Sequence, residues 1–224
     1  MSEPVRVVAF VPAAPLLVPQ VAAGSADLDA GLREACVCVA RRLTTAAEAG
    51  VTIVAPVAAG ASWPANATWG FEGFGVAREP SDERPRLPWP LGIGDWLLDV
   101  IGWTGERHYV GVTPDSGTTG AAEIDAALLV VGDGSARRTE KAPGYLDERA
   151  TGFDEVVATA IRAGDNAALG SIDQALADDL LCAGAPVWRW LSTRIGAGSV
   201  VEAELLADTA PYGVGYFAGW WRLG

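Results

Sequence analysis

Val5-Arg6-Val7-Val8-Ala9-Phe10-Val11, closed by Pro12, and Val51-Thr52-Ile53-Val54, opened by Gly50, decide the fold of this chain. Each is a short β-branched run bounded by proline or glycine, the pattern of a strand buried on both faces. Between them lies a helical segment. Ser25 can cap it, Asp27 and Asp29 fall in its first turn, and Arg41 and Arg42 lie near its end, which suits the helix dipole. Leu28, Leu32, Ala35, Cys36, Val39 and Leu43 share one face, and Gly50 is read as the stop. Strand, helix, strand with a continuous apolar signature is the βαβ unit of a parallel sheet covered by helices on its faces.

Working outward, the pattern predicts a helix over 91–102, strands over 108–112 and 126–131, and helices over 152–163, 171–183 and 186–195. In the last of these Pro186 takes an N1-like position. Two apolar segments, 199–207 and 213–222, close the chain as sheet strands joined by a loop. Residues 60–90 interrupt the rhythm with Trp63, Trp69, Phe71, Phe74 and Trp89 among many glycines and prolines. A long irregular segment is uncommon unless it forms a lid or binding loop, and its aromatics must be buried against the domain or a ligand. No repeat or composition break marks a second domain. The expectation is one α/β domain over 1–224, a three-layer α/β/α sandwich around a mixed, mostly parallel sheet, with an irregular insertion at about 60–90.

Composition narrows the function classes. A chain of 224 residues, half of them apolar, buries roughly 70% of its unfolded surface and needs no staple. The three cysteines, Cys36, Cys38 and Cys182, are odd in number and lack CxxC spacing, which argues against a disulfide framework or thiolate zinc site. The N-terminal run has Glu3 rather than a basic cluster ahead of it and prolines after it, so it does not read as a signal peptide. No apolar run approaches the ~20 residues of a membrane span. The reading is a cytoplasmic protein, with the sequon at Asn66 inert. A net charge of −12 disfavours nucleic acid and anionic membrane surfaces as partners.

Ligands of open α/β sheets sit beyond the carboxyl ends of the strands, here 12–17, 55–62, 132–145 and 208–213. The 132–145 stretch is the richest in chemistry. Gly132 and Gly134 permit unusual backbone angles, so that loop amides can converge into an anion-binding nest. Arg137, Arg138 and Lys141 add positive charge, Asp133 and Ser135 a carboxylate and a hydroxyl, and Tyr145 a phenol; Tyr212 is a candidate wall. The competing reading is a turn in which Asp133 bonds its own backbone. Ser135 lacks the GxSxG context of a hydrolytic nucleophile, and His108 is the sole histidine.

The stretch Ala9-Phe10-Val11-Pro12-Ala13-Ala14-Pro15-Leu16-Leu17-Val18-Pro19 resembles the opening of class III extradiol ring-cleavage dioxygenases, at the start of their catalytic domain. Gly132 to Arg138, Lys141 to Tyr145 and Ala210 to Tyr216 resemble strings carried by a branch of that superfamily from high-GC bacteria. The likeness spans most of the chain and is weakest across 60–120. It implies a three-layer fold and, in active members, Fe(II) held by two histidines and a carboxylate. The first histidine would fall in Pro12-Ala13-Ala14-Pro15 and the second in Ala55-Pro56-Val57-Ala58-Ala59, where this sequence has none. Ala13 and Ala58 thus mark a degenerate metal-ligand region.

Three functions follow as expectations. The leading one is a non-catalytic member, with no cofactor, whose cleft binds a small anionic ligand or a partner. The second is an atypical metal-dependent oxidoreductase or hydrolase in which His108 joins Asp133, Glu202, Glu204 or Asp208 around a divalent ion. The third is a homo-oligomeric scaffold that buries Trp220 and Trp221 between copies of the chain.

Overall fold

The computed structural model describes residues 5–22, 30–47, 50–58, 63–77, 81–113, 118–120, 126–196 and 198–224. Seven strands form one sheet: β1 (Val7–Val11), β2 (Gly50–Pro56), β3 (Glu106–Val112), β4 (Thr118–Gly120), β5 (Ala127–Val131), β6 (Val200–Thr209) and β7 (Tyr216–Leu223). Their order across the sheet is β4-β3-β2-β5-β1-β7-β6. The four central strands, β3, β2, β5 and β1, pair in parallel. β4 is antiparallel to β3, β7 to β1 and β6 to β7, so five of the seven strands run the same way.

The alternation of side chains along the buried strands creates two cores. Val7, Ala9, Val11, Ile53 and Leu129 point to one face, where α2 (Ala30–Ala46) and α3 (Trp89–Val100) cover them. The short α1 (Pro19–Ala22) follows the turn after β1. Val8, Phe10, Val54, Leu128 and Val130 point to the other face, covered by α4 (Arg149–Ala163), α5 (Asn166–Gly170), α6 (Gln174–Asp179) and α7 (Ala185–Ser192). The α/β/α sandwich expected from the strand patterns is the architecture observed. Among the described residues no helix is long and apolar enough to cross a membrane.

Local chemistry moved several boundaries. The cap at Ser25, with Asp27, Asp29 and Leu28, lies outside the described residues; Leu32, Ala35, Cys36, Val39 and Leu43 face the core as expected. Gly50 does not end the helix but opens β2, paired with Glu106. The single helix expected over 171–183 is replaced by two short ones, because Asp165 and Asp173 each turn a carboxylate onto the backbone amides that follow and start a new helix. Pro186 sits in the first turn of α7 as predicted.

The aromatic segment is packed onto the domain by a polar latch. Asp95, buried on α3, accepts from Arg107 at 2.7 Å, from the Tyr109 hydroxyl at 2.9 Å and from the Trp69 amide at 3.0 Å. Phe71 is buried beneath Trp69, and an aromatic chain continues through Phe74 to Trp89, both partly exposed.

Trp221 is fully buried in this chain's own core, edge-on to Phe10, and donates to the Ile161 carbonyl at 2.6 Å. Trp220 lies under the Arg42 guanidinium and donates to Glu204 at 3.3 Å. The tryptophan pair expected at an interface between copies is therefore spent within the fold.

Candidate functional site at the carboxyl edge of the sheet

Because β5 lies between β2 and β1, the strand ends bring Ala58, Asp133 and Ala13 to one edge. The loop after β5 runs beside the turn before β7: the Gly134 amide donates to Gly215, the Gly215 amide to Ser135 and the Arg138 amide to Gly213. The expected meeting of 132–145 with the 208–213 turn is thus realised. Tyr212, in that turn, packs against the core on the α2 and α3 side.

The anion nest is not formed by this loop. Gly132, Gly134, Ser135, Ala136 and Arg138 all commit their amides inward, to Val11, Gly215, Asp154, Leu180 and Gly213. Gly132 and Gly134 are not in the left-handed region. At Gly134 glycine serves close approach instead, since a Cβ there would lie 2.7 Å from Asp154 Oδ1 and 2.9 Å from Phe217. Ser135 is fully buried, and its amide and hydroxyl each donate to Asp154 at 2.8 Å. Arg138 donates to the same carboxylate at 3.2 Å. Ser135 and Arg138, taken from the sequence as ligand contacts, are thus the partners of a buried structural carboxylate.

Asp154 escaped the sequence reading, although a signal was present. It falls on the inward stripe of α4 with Ala150, Phe153, Val157 and Ile161, where an acid has no place unless it is paired. Burial raises its pKa, and the bonds from Ser135 and Arg138 oppose that rise.

Asp133 is held differently. One carboxylate oxygen accepts the Ala13 amide at 2.7 Å, tying the turn after β1 to β5. Its backbone carbonyl accepts from the Gly184 amide at 2.8 Å and from the Cys182 thiol at 3.4 Å. The turn in which Asp133 bonds its own neighbours is replaced by these long-range contacts. Loss of solvent around the carboxyl pushes its pKa up to about 7, with the Ala13 amide pulling the other way. Burial likewise pushes the Cys36 and Cys182 thiols up, so neither is a ready nucleophile.

The remaining candidates sit at the surface. Lys141 and Tyr145 are exposed, Tyr145 by 75% and with a left-handed backbone at φ 60°. Arg137 packs beneath Gly144, and its Nε is buried with no acceptor among the described residues.

A metal centre built on His108 is not assembled. His108 pairs with Thr52, which pairs with Leu128, so it lies five residues, or roughly 15 Å, back along the strands from Asp133. Glu202, Glu204 and Asp208 are on β6, five strand spacings from β3, or roughly 24 Å. Glu202 pairs with Arg222, Glu204 with Arg42, and Asp208 with Arg162. Among the described residues no three His, Cys, Asp or Glu side chains converge on one point. The donor set for Fe(II) implied by the resemblance does not fit: Ala13 is buried with its amide bonded to Asp133, and Ala58 presents a methyl group.

What the edge does contain is an apolar cavity of about 640 Å³. Pro56, Val57 and Ala58 after β2 form one wall, Trp89 and Pro90 at the start of α3 a second, and Leu181, Cys182 and Pro186 around α7 a third. Of these residues only Ala58 was singled out in sequence; the others read as ordinary loop and helix-start residues until the fold converges them. No family model and no curated protein matches this chain.

Proposed function

We propose that this protein is a binding protein built on a class III extradiol dioxygenase-like scaffold, without ring-cleavage activity, whose cavity at the carboxyl edge of the sheet holds a small apolar molecule. The observation that carries this reading is the 640 Å³ apolar cavity with Ala58 in its wall. Cavities of roughly 300–1,000 Å³ with apolar linings suit small organic ligands, and the carboxyl edge is where such sheets bind them. The polar loop beside it supports the cavity: Asp133 anchors Cys182 and Gly184, which belong to or adjoin its wall.

Titration with the neutral fluorophore N-phenyl-1-naphthylamine tests the binding reading. One molecule should bind per chain, and Ala183→Trp, which fills the cavity from its exposed side, should abolish it. Anaerobic loading with Fe(II), followed by a catechol and oxygen, tests the catalytic side. The expected result is no ring-opened product; iron retained at one per chain with turnover would overturn the proposal.

A further inference from the structure

Four cations lie in the 137–149 stretch beside the cavity: Arg137, Arg138, Lys141 and Arg149. Lys141 is exposed to solvent. Arg138 is bound to Asp154 at 3.2 Å, and Arg149 to Asp147 at 2.8 Å and Asp179 at 3.2 Å. Arg137 makes no salt bridge among the described residues, and its buried Nε–H has no acceptor. Asp147, the carboxylate that feels the Arg137 charge, is already taken by Arg149. A guanidinium carries five donors in a planar fork suited to a carboxylate, sulfonate or phosphate, and a buried N–H left unmet costs free energy.

The position of Arg137 gives that unmet donor a direction. A Cβ placed on Gly144 would lie 2.7 Å from Arg137 Cγ, 3.0 Å from Arg137 Nε and 2.7 Å from Leu181 Cδ1, so the arginine and the leucine meet over the glycine. Leu181 lines the cavity. Tyr145 and Leu181, on either side of this contact, are the two non-glycine residues with positive φ among those described, at 60° and 54°. Both side chains are exposed, by 75% and 48%. Strained backbone that holds apolar side chains in solvent is an outlier that calls for a use. Asp178, the carboxylate on the cavity wall, is exposed and accepts from Gln174 at 2.7 Å, which keeps it at the outer rim.

We infer that the cavity takes an anionic amphiphile, an aromatic or aliphatic acid, with its apolar body between Ala58 and Pro186 and its anionic group on the Arg137 guanidinium at the Leu181 rim. This rests on the cavity being a binding site, as proposed above. Local charge pairing is what admits an anion to a chain whose net charge is −12.

The test compares N-phenyl-1-naphthylamine with its anionic relative 1-anilinonaphthalene-8-sulfonate on the full chain. Wild type should bind both at one site, the sulfonate more tightly, and Ala183→Trp should remove both. Arg137→Gln should weaken the sulfonate roughly ten- to a hundredfold and leave the neutral probe within about twofold, with Arg137→Lys restoring most of the loss. A melting curve of ligand-free Arg137→Gln should match or exceed wild type, because an unmet buried donor has been removed. Sulfonate binding unchanged in Arg137→Gln, with both probes lost in Ala183→Trp, would overturn this inference and leave the cavity reading standing. Equal weakening of both probes by Arg137→Gln would make Arg137 structural and overturn it as well. Failure of both probes to bind wild type would remove the cavity reading itself.

Discussion

The loop after β5 and the cavity beside it occupy the same edge of one sheet, yet they use their residues in opposite ways. The loop is rich in polar groups and turns nearly all of them inward: Ser135, Arg138 and five loop amides find partners within the chain. The cavity is poor in polar groups and leaves its apolar surface open. A buried polar group must be paired, so chemical richness in a loop is as much a sign of structural work as of a ligand site. The contrast is sharpest between two carboxylates. Asp154 has three donors, whereas Asp133 has one, and loss of solvent pushes the latter up to about 7.

If the loop is structural, breaking it should cost stability most. Asp154→Ala strands Ser135 and Arg138 and is expected to lower unfolding free energy by roughly 3–5 kcal/mol, read from urea denaturation. A loss below about 1 kcal/mol would show that the clasp does not hold the loop. Gly215→Ala should damage the same contact from the other side, since its Cβ would overlap the Asp154 carboxylate; a cost of roughly 1–3 kcal/mol is expected in the same assay.

Asp133 carries the next effect, and its sign is opposite. Its folded pKa of about 7 lies above its ordinary value of 3.8, so the native state holds the proton more tightly than the unfolded chain. Its contribution is full below pH 3.8, is lost as pH rises toward 7, and stays lost above. Asp133→Asn keeps an acceptor for the Ala13 amide and removes the titration. The variant should gain roughly 2 kcal/mol over wild type at pH 8 and nothing at pH 4, measured as the difference in urea midpoints at the two pH values. An equal difference at both would contradict the assignment.

The smallest effect belongs to the rim. Tyr145→Asn places a residue tolerant of left-handed backbone at φ 60° and should stabilise the chain by roughly 0.5–1 kcal/mol in thermal melts. A loss of stability would mean that the exposed ring packs in a way that its 75% exposure does not suggest.

The sheet was legible because buried strands leave a local mark. Val7–Val11 and Ala127–Val131 are β-branched and leucine runs whose two faces are both covered, and no other reading suits them. Helix starts were less legible where aspartates compete for backbone amides, as Asp165 and Asp173 do. The edge itself was located from sequence, since Ala13, Ala58 and Asp133 follow strands that prove adjacent. Its character was not. Whether Ser135 faces solvent or Asp154 depends on a helix residue 19 positions away, and the cavity wall joins three segments from separate parts of the chain. Such long-range pairings have no local period or spacing to announce them.

The contrast between loop and cavity is tested most directly by an amide correlation spectrum titrated with N-phenyl-1-naphthylamine. Shifts should concentrate at Val57, Ala58, Leu181, Cys182 and Ala183, with Gly134, Ser135 and Arg138 nearly silent. Shifts centred on 134–138, with the cavity wall unmoved, would contradict it.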